Sequence, residues 1–165
     1  MQDSQEIIFD FTKNVNINQW RTVDDVVMGG RSQGNFKLNK DGFGEFYGNV
    51  SLENNGGFSS LRFRFEKKEV INYNFVVLKI KGDAKNYQFR IKDNVYNRHS
   101  FIYNLETTGE WQTIKVPLSE MYPAFRGRKL QIPNFSSTTI EEVAFLIGNK
   151  KEQNFKLEID FIKLQ

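Results

Sequence analysis

Residues 20–34, WRTVDDVVMGGRSQG, hold the densest set of residue types with special chemistry in the chain. Asp24 and Asp25 stand side by side and can accept hydrogen bonds from nearby amides, while Arg31 and Ser32 supply donors. Gly29 and Gly30 permit positive φ or a close backbone approach. Two readings follow. In one, the segment is a tight structural loop plugged into a core by Trp20, Val27 and Met28. In the other it is a ligand-facing loop on a rigid scaffold, with Trp20, Asp24, Asp25, Met28, Arg31 and Ser32 as contacts. A dinucleotide-binding glycine loop is disfavoured. It requires a strand before it and a helix after it, whereas the alternating FKLNKDGFGEFYG comes next.

Catalytic constellations are sparse. His99 in NRHSF is the one histidine, there is no cysteine, and no Ser motif marks an activated nucleophile. Asp24, Asp25, Glu53 and Glu110 could supply paired carboxylates for glycoside hydrolysis, but spacing alone sets no working separation between them. These residues predict a non-catalytic binding protein. A glycan needs aromatic faces for its C–H surfaces and planar polar groups for its hydroxyls, and Arg62, Arg90, Tyr103, Trp111 and Arg126 are the candidates for that work. A protein partner would instead call for an exposed apolar patch, expected around residues 26–28 and 122–125.

The elements that must position these side chains are strands. Alternation with period two covers residues 7–11, 43–52, 58–65, 76–80, 87–92, 100–105, 111–116, 143–147 and 155–161. In the last of these, Phe155, Leu157, Ile159 and Phe161 are expected on one face. Turn residues separate the strands at 39–42, 54–57, 82–86 and 107–109, and Asn54-Asn55-Gly56-Gly57 predicts a hairpin. Helical character is limited to one turn at 118–122 and a possible cap at 137–142. In the stretch GEWQTIKVPLSEMYPAFRGR, Tyr122, Phe125, Arg126 and Arg128 either rim a pocket or close one end of the core. With 16 Phe, 6 Tyr and 2 Trp among 165 residues, and 3 Pro, the composition predicts one all-β domain of sandwich or jelly-roll type with a large aromatic core.

The net charge of +3, from 23 Lys+Arg against 20 Asp+Glu, is spread along alternating strands such as FKLEIDFIK, so no nucleic-acid partner is expected. No apolar run reaches the roughly 20 residues that span a bilayer, so membrane insertion is not expected either. The polar start MQDSQE has no signal-peptide core. The expected location is cytoplasmic for a complete chain, and exported if a signal segment has been trimmed.

Four motifs occur in order: WRTVDDVVMGGRS, then GNVSLENNGGFSSLR, then WQTIKVP with FRGR, then FKLEIDFI. In type, order and spacing, over nearly the whole chain, they resemble the complex I intermediate-associated protein 30 family. The resemblance implies a galactose-binding-domain-like sandwich akin to some carbohydrate-binding modules. Mitochondrial members of that family are assembly factors for respiratory complex I, so it also implies a chaperone-like role on a protein partner. Recognition of a glycan is the alternative. Sandwiches of this type often hold a structural Ca²⁺ near the termini, which makes Asp10 and Asp160, on the first and last expected strands, candidate ligands.

Overall fold

The computed structural model describes residues 5–13, 16–25 and 29–165, with the backbone alone at Asn55. Among these residues thirteen strands form two antiparallel sheets. The first sheet has the order β3 (Gln33–Leu38), β4 (Gly44–Val50), β13 (Gln153–Leu164), β6 (Phe75–Lys81), β9 (Trp111–Pro117). Its sixth strand, β1 (Glu6–Asp10), pairs with the C-terminal half of β13 on the edge that β4 uses further back. The second sheet has the order β11 (Arg128–Lys129), β10 (Tyr122–Phe125), β8 (Ser100–Glu106), β7 (Asn86–Lys92), β12 (Thr139–Ile147), β5 (Ser59–Glu69), β2 (Trp20–Asp24). Hairpins join β3 to β4, β7 to β8 and β10 to β11; most other connections cross from one sheet to the other. The result is a jelly-roll β-sandwich. No helix among the described residues is long and apolar enough to cross a membrane.

The period-two residues do the packing. Val76, Leu78 and Ile80 of β6 and Phe155, Leu157 and Ile159 of β13 meet Tyr87, Phe89 and Ile91 of β7 and Val143, Phe145 and Ile147 of β12 in one buried cluster. The alternation in β13 breaks where expectation ran straight on. A bulge between Ile159 and Phe161 shifts the register, so Ile162 and Leu164 turn inward. Phe161 turns outward, beneath the Lys163 ammonium at 4.1 Å.

Two other local expectations are corrected and one further turn is found. The Asn-Gly segment at 54–57 is no hairpin: it carries the chain from β4 in one sheet to β5 in the other, through a 3₁₀ turn at Glu53–Asn55 with Asn54 at φ 55°. The expected helical cap at 137–142 is the start of β12, because Ile140 is wholly buried and pairs with Lys68 of β5. FRGR is a tight hairpin, with Arg126 at φ 50° and Gly127 at φ 77° between paired Phe125 and Arg128. That is the left-handed pair a two-residue turn demands. The single turn expected after Pro117 is present, at Leu118–Glu120.

Candidate functional site

The Asp-rich loop does structural work. β2 belongs to the seven-stranded sheet and β3 to the six-stranded one, so the chain changes sheet between Asp25 and Ser32, as it does again over residues 51–58. The fully buried Asp25 carboxylate ties the two crossings together. It accepts from Ser32 N at 2.9 Å, Ser32 Oγ at 2.5 Å, Gly57 N at 2.6 Å and Phe58 N at 3.3 Å. Ser32 Oγ in turn accepts from Ser51 N at 2.9 Å. Burial pushes the Asp25 carboxyl up, but hydrogen bonds from Ser32, Gly57 and Phe58 outweigh it and hold the group below its ordinary range. One glycine in each motif leaves room for this carboxylate. A Cβ on Gly30 would lie 2.3 Å from Asp25 Cγ, and one on Gly56 2.5 Å from Asp25 Oδ2. Asp24 adds a second tie, accepting from Ser59 Oγ at 2.5 Å and Gly34 N at 3.0 Å.

These positions correct the ligand-facing reading of Trp20, Asp24, Asp25 and Ser32, whose polar atoms or rings face protein. Trp20 stacks on Phe63 at 4.8 Å and meets Phe9, Phe11 and Phe36 within 5.5 Å. Contrary to expectation, residues 20–24 form a strand, paired along β5. Met28, with Val26 and Val27, lies outside the described residues. Arg31 is exposed, 3.7 Å from the equally exposed Glu53. An exposed pair of this kind contributes little, so Arg31→Ala should change the unfolding free energy by less than about 0.5 kcal/mol in a urea titration.

The candidate site lies on the outer face of the seven-stranded sheet. Cross-strand pairing lines up Arg21, Arg62, Ala144, Arg90, Ile102 and Tyr122 in one row. Beside it run Ser60, Leu146, Gln88 and Asn104 on one flank, and Arg64, Glu142 and Lys92 on the other. Arg62, Arg64, Arg90 and Lys92 thus share one carboxylate, Glu142, which Arg64 Nε engages at 2.8 Å. Arg90 Nε and Nη2 donate to Gln88 Oε1 at 3.0 and 2.7 Å, Arg62 Nε to Ser60 Oγ at 3.3 Å, and Lys92 Nζ to the Asn97 carbonyl at 2.6 Å. Among the described residues, no carboxylate forms an ion pair with Arg21, Arg62 or Arg90.

Burial, reinforced by the Arg62 charge, pulls the Arg90 guanidinium down to about 10 against the opposing influence of Tyr122 and Glu142. Burial also lowers Arg62; Glu142 opposes this, and Arg21 and Arg64 add to it. Lys92 is lowered by burial as well, with Glu142 again opposed by Arg62, Arg64 and Arg90. At the β8–β10 end of the row an open depression of about 370 Å³ is lined by Ile102, Asn104, Tyr122, Ala124, Gly127 and Lys129.

The opposite face of the sandwich differs. On the outside of the six-stranded sheet Lys37 and Lys156 both approach Glu45, at 3.5 and 3.7 Å, and Lys79 approaches Asp160 at 3.7 Å. Lys115 and Lys163 on that face lie over the Phe75 and Phe161 rings, at 5.0 and 4.1 Å. The expectation of evenly dispersed charge holds for that sheet and is corrected for the seven-stranded one.

The remaining sugar-contact candidates scatter. Tyr103 sits in register with Phe89 and packs on the core, facing away from Arg62 and Arg90. Trp111 lies on β9 in the other sheet, 4.6 Å from Phe43. Arg126 occupies the exposed β10–β11 turn, over the Phe125 ring at 5.3 Å. The apolar patch expected at 122–125 is absent: Pro123 and Ala124 are buried, and Lys129 lies over Tyr122 at 5.6 Å. His99 meets Phe101 edge-on at 5.3 Å.

Asp10 and Asp160 do come together at the paired termini, where Phe11 N donates to the Asp160 carbonyl at 3.0 Å. Their side chains do not fit the implied Ca²⁺. Asp10 Oδ1 accepts from Thr12 N and Oγ1 at 3.0 and 2.6 Å, Asp160 is matched by Lys79, and no group of three or more His, Asp or Glu among the described residues could hold a metal ion.

The jelly-roll β-sandwich is a fold shared with solved carbohydrate-binding modules. The family 11 carbohydrate-binding module of the cellulosomal cellulase Lic26A-Cel5E of Clostridium thermocellum superposes with a TM-score of 0.76 at 17% identity, covering 99% of this chain and 95% of the module. The family 11 module from Clostridium thermocellum solved with a β-1,3-1,4-mixed-linked tetrasaccharide gives 0.73 at 18% identity, covering 97% and 94%. Identity this low speaks for the fold alone. By sequence, residues 9–159 match the family model Complex I intermediate-associated protein 30 (CIA30), and the chain belongs to that family. The mouse protein named complex I intermediate-associated protein 30, mitochondrial, is 23% identical over 185 residues, and its Drosophila melanogaster counterpart 24% over 185 residues. The alignments take in 98% and 97% of this chain but 56% and 62% of those relatives.

Proposed function

We propose that this chain is a non-catalytic binding module that holds a protein partner against the outer face of its seven-stranded sheet, in an assembly or chaperone-like role. The observation that carries the reading is the contrast between the two outer faces. On one, Lys37, Lys79 and Lys156 sit beside carboxylates and Lys115 and Lys163 over aromatic rings, while the other keeps Arg62 and Arg90 half-buried and without an ion-paired carboxylate. Such an arrangement costs stability and is retained where a partner completes it. The names of the mouse and fly relatives, intermediate-associated proteins, support a protein as that partner, and their mitochondrial designation supports an organellar or organelle-derived setting.

A glycan is the second reading, favoured by the depression beside Tyr122 and by the fold shared with a module solved with a tetrasaccharide. The central strands of the row, however, carry no aromatic ring on which a sugar could stack. A photo-crosslinking amino acid at exposed Asn104, compared with one at exposed Thr113 on the opposite sheet, tests the face in cells of the native host. Protein adducts are expected from position 104 only. Equal yields from both positions, or none from 104, would overturn this assignment, and a melting-temperature rise with one sugar class would replace the protein by a glycan.

A further inference from the structure

Resting on that choice of face, we infer that the Arg62–Arg90 row receives the side-chain carboxylates of an acidic segment of the partner protein. The two arginines flank Ala144 on adjacent strands, so their backbones stand about 10 Å apart, two strand spacings, with a small, buried side chain as the floor between them. Each guanidinium is steadied by one neutral neighbour, Ser60 for Arg62 and Gln88 for Arg90. Each is therefore oriented while keeping donors to spare. An oriented guanidinium with free N–H groups is matched by a planar carboxylate, which it can take bidentately.

The surroundings narrow the choice further. Arg21, Arg64 and Lys92 extend the positive field along the row, and the one local acid, Glu142, is engaged by Arg64. Nucleic-acid surfaces interleave aromatic rings with their cations so that bases can stack; between Arg62 and Arg90 stands an alanine. At the far end the open depression beside Asn104 and Tyr122 leaves room for a residue flanking the acidic segment. Half-buried cations of this kind repel one another until an anion arrives, and the arriving charge relieves that repulsion.

Fluorescence anisotropy with a labelled Glu/Asp-rich peptide decides the matter, using the Gln/Asn counterpart peptide, polygalacturonate and a single-stranded oligonucleotide as comparators. The acidic peptide should bind, more weakly as salt is raised. Affinity should fall at least roughly tenfold in R62Q/R90Q, and should not fall in K79Q/K156Q on the opposite sheet. The arginine variant should melt no lower than the parent, since it sheds desolvated like charges. The single variant R90K, which keeps the charge but loses the fork, should weaken the peptide by itself. Preference for polygalacturonate or the oligonucleotide, equal binding of the neutral peptide, or indifference to R62Q/R90Q would each overturn the inference. If the peptide fails while position 104 still yields adducts, the carboxylate chemistry falls and the face stands; if the adducts fail as well, the face falls with it.

Discussion

Asp25→Ala should lower the unfolding free energy by about 3–5 kcal/mol, because it removes the acceptor that four donors share inside the protein. The Ser32, Gly57 and Phe58 amides and the Ser32 hydroxyl would be left facing one another in a space that water does not reach freely. The two crossovers would lose the contact that fixes their relative path, and each crossover joins strands of different sheets. Urea titration at neutral pH measures the loss, and a change under about 1 kcal/mol would refute the structural role. pH supplies an independent check. Asp25 titrates below its ordinary value of 3.8 when folded, so the folded state binds fewer protons there than the unfolded chain. Its stabilisation is complete above that ordinary value and is lost as pH falls through the lower, folded one. Asp25→Asn should flatten that acid-side slope and also destabilise at neutral pH, since an amide cannot accept at both ends.

Trp20→Ala should cost about 3–5 kcal/mol as well, the range for deleting a large aromatic side chain from a packed core. The indole lies nearly parallel to Phe63, with an interplanar angle of 13°, and is edge-on to Phe9 at 88°. Its removal opens a cavity among Phe9, Phe11, Phe36 and Phe63 that strands on both sheets cannot close together. Trp20→Phe should cost far less. Trp20 Nε1 is buried with no hydrogen-bond partner among the described residues, so the smaller ring gives up volume but also an unsatisfied donor. A thermal melt of both variants tests this. Had Trp20 been a ligand contact, the alanine variant would melt like the parent and lose only binding.

The two large effects fall on the first motif by which the chain joins its family, while the candidate binding face takes Arg21 and Arg62 from the motifs and Arg90, Lys92 and Glu142 from outside them. Asp25 and Ser32, with the glycines at 30 and 56, recur together in the sequence because one buried carboxylate needs donors at short range and backbones without a Cβ. The arginine row is written into three separate strands, β2, β5 and β7, with β12 lying between the last two.

From the sequence alone the strand-rich architecture could be read, because a side-chain period of two is a local property that survives without knowing the partner strand. Hence β6, β7, β8, β9 and the body of β13 were legible. The chemistry of residues 20–34 was legible too, but not its direction. Aspartates that bind a ligand and aspartates that bind a neighbouring crossover look alike until the neighbour is in place. Sheet membership was decided only in three dimensions. A glycine-rich turn between two alternating segments specifies a change of direction, but which sheet receives the next strand depends on what the turn packs against, and here Asp25 holds it across the gap. Register was settled at the same level, since the bulge near Asp160 inserts one residue and reverses every side chain after it. The cationic face is the clearest case. Arg62 and Arg90 lie 28 positions apart in the chain, each flanked along its strand by ordinary alternation. Only hydrogen bonding to the two edges of β12 sets them in one row, because the pairing of strands, not sequence distance, determines which charges must share a surface.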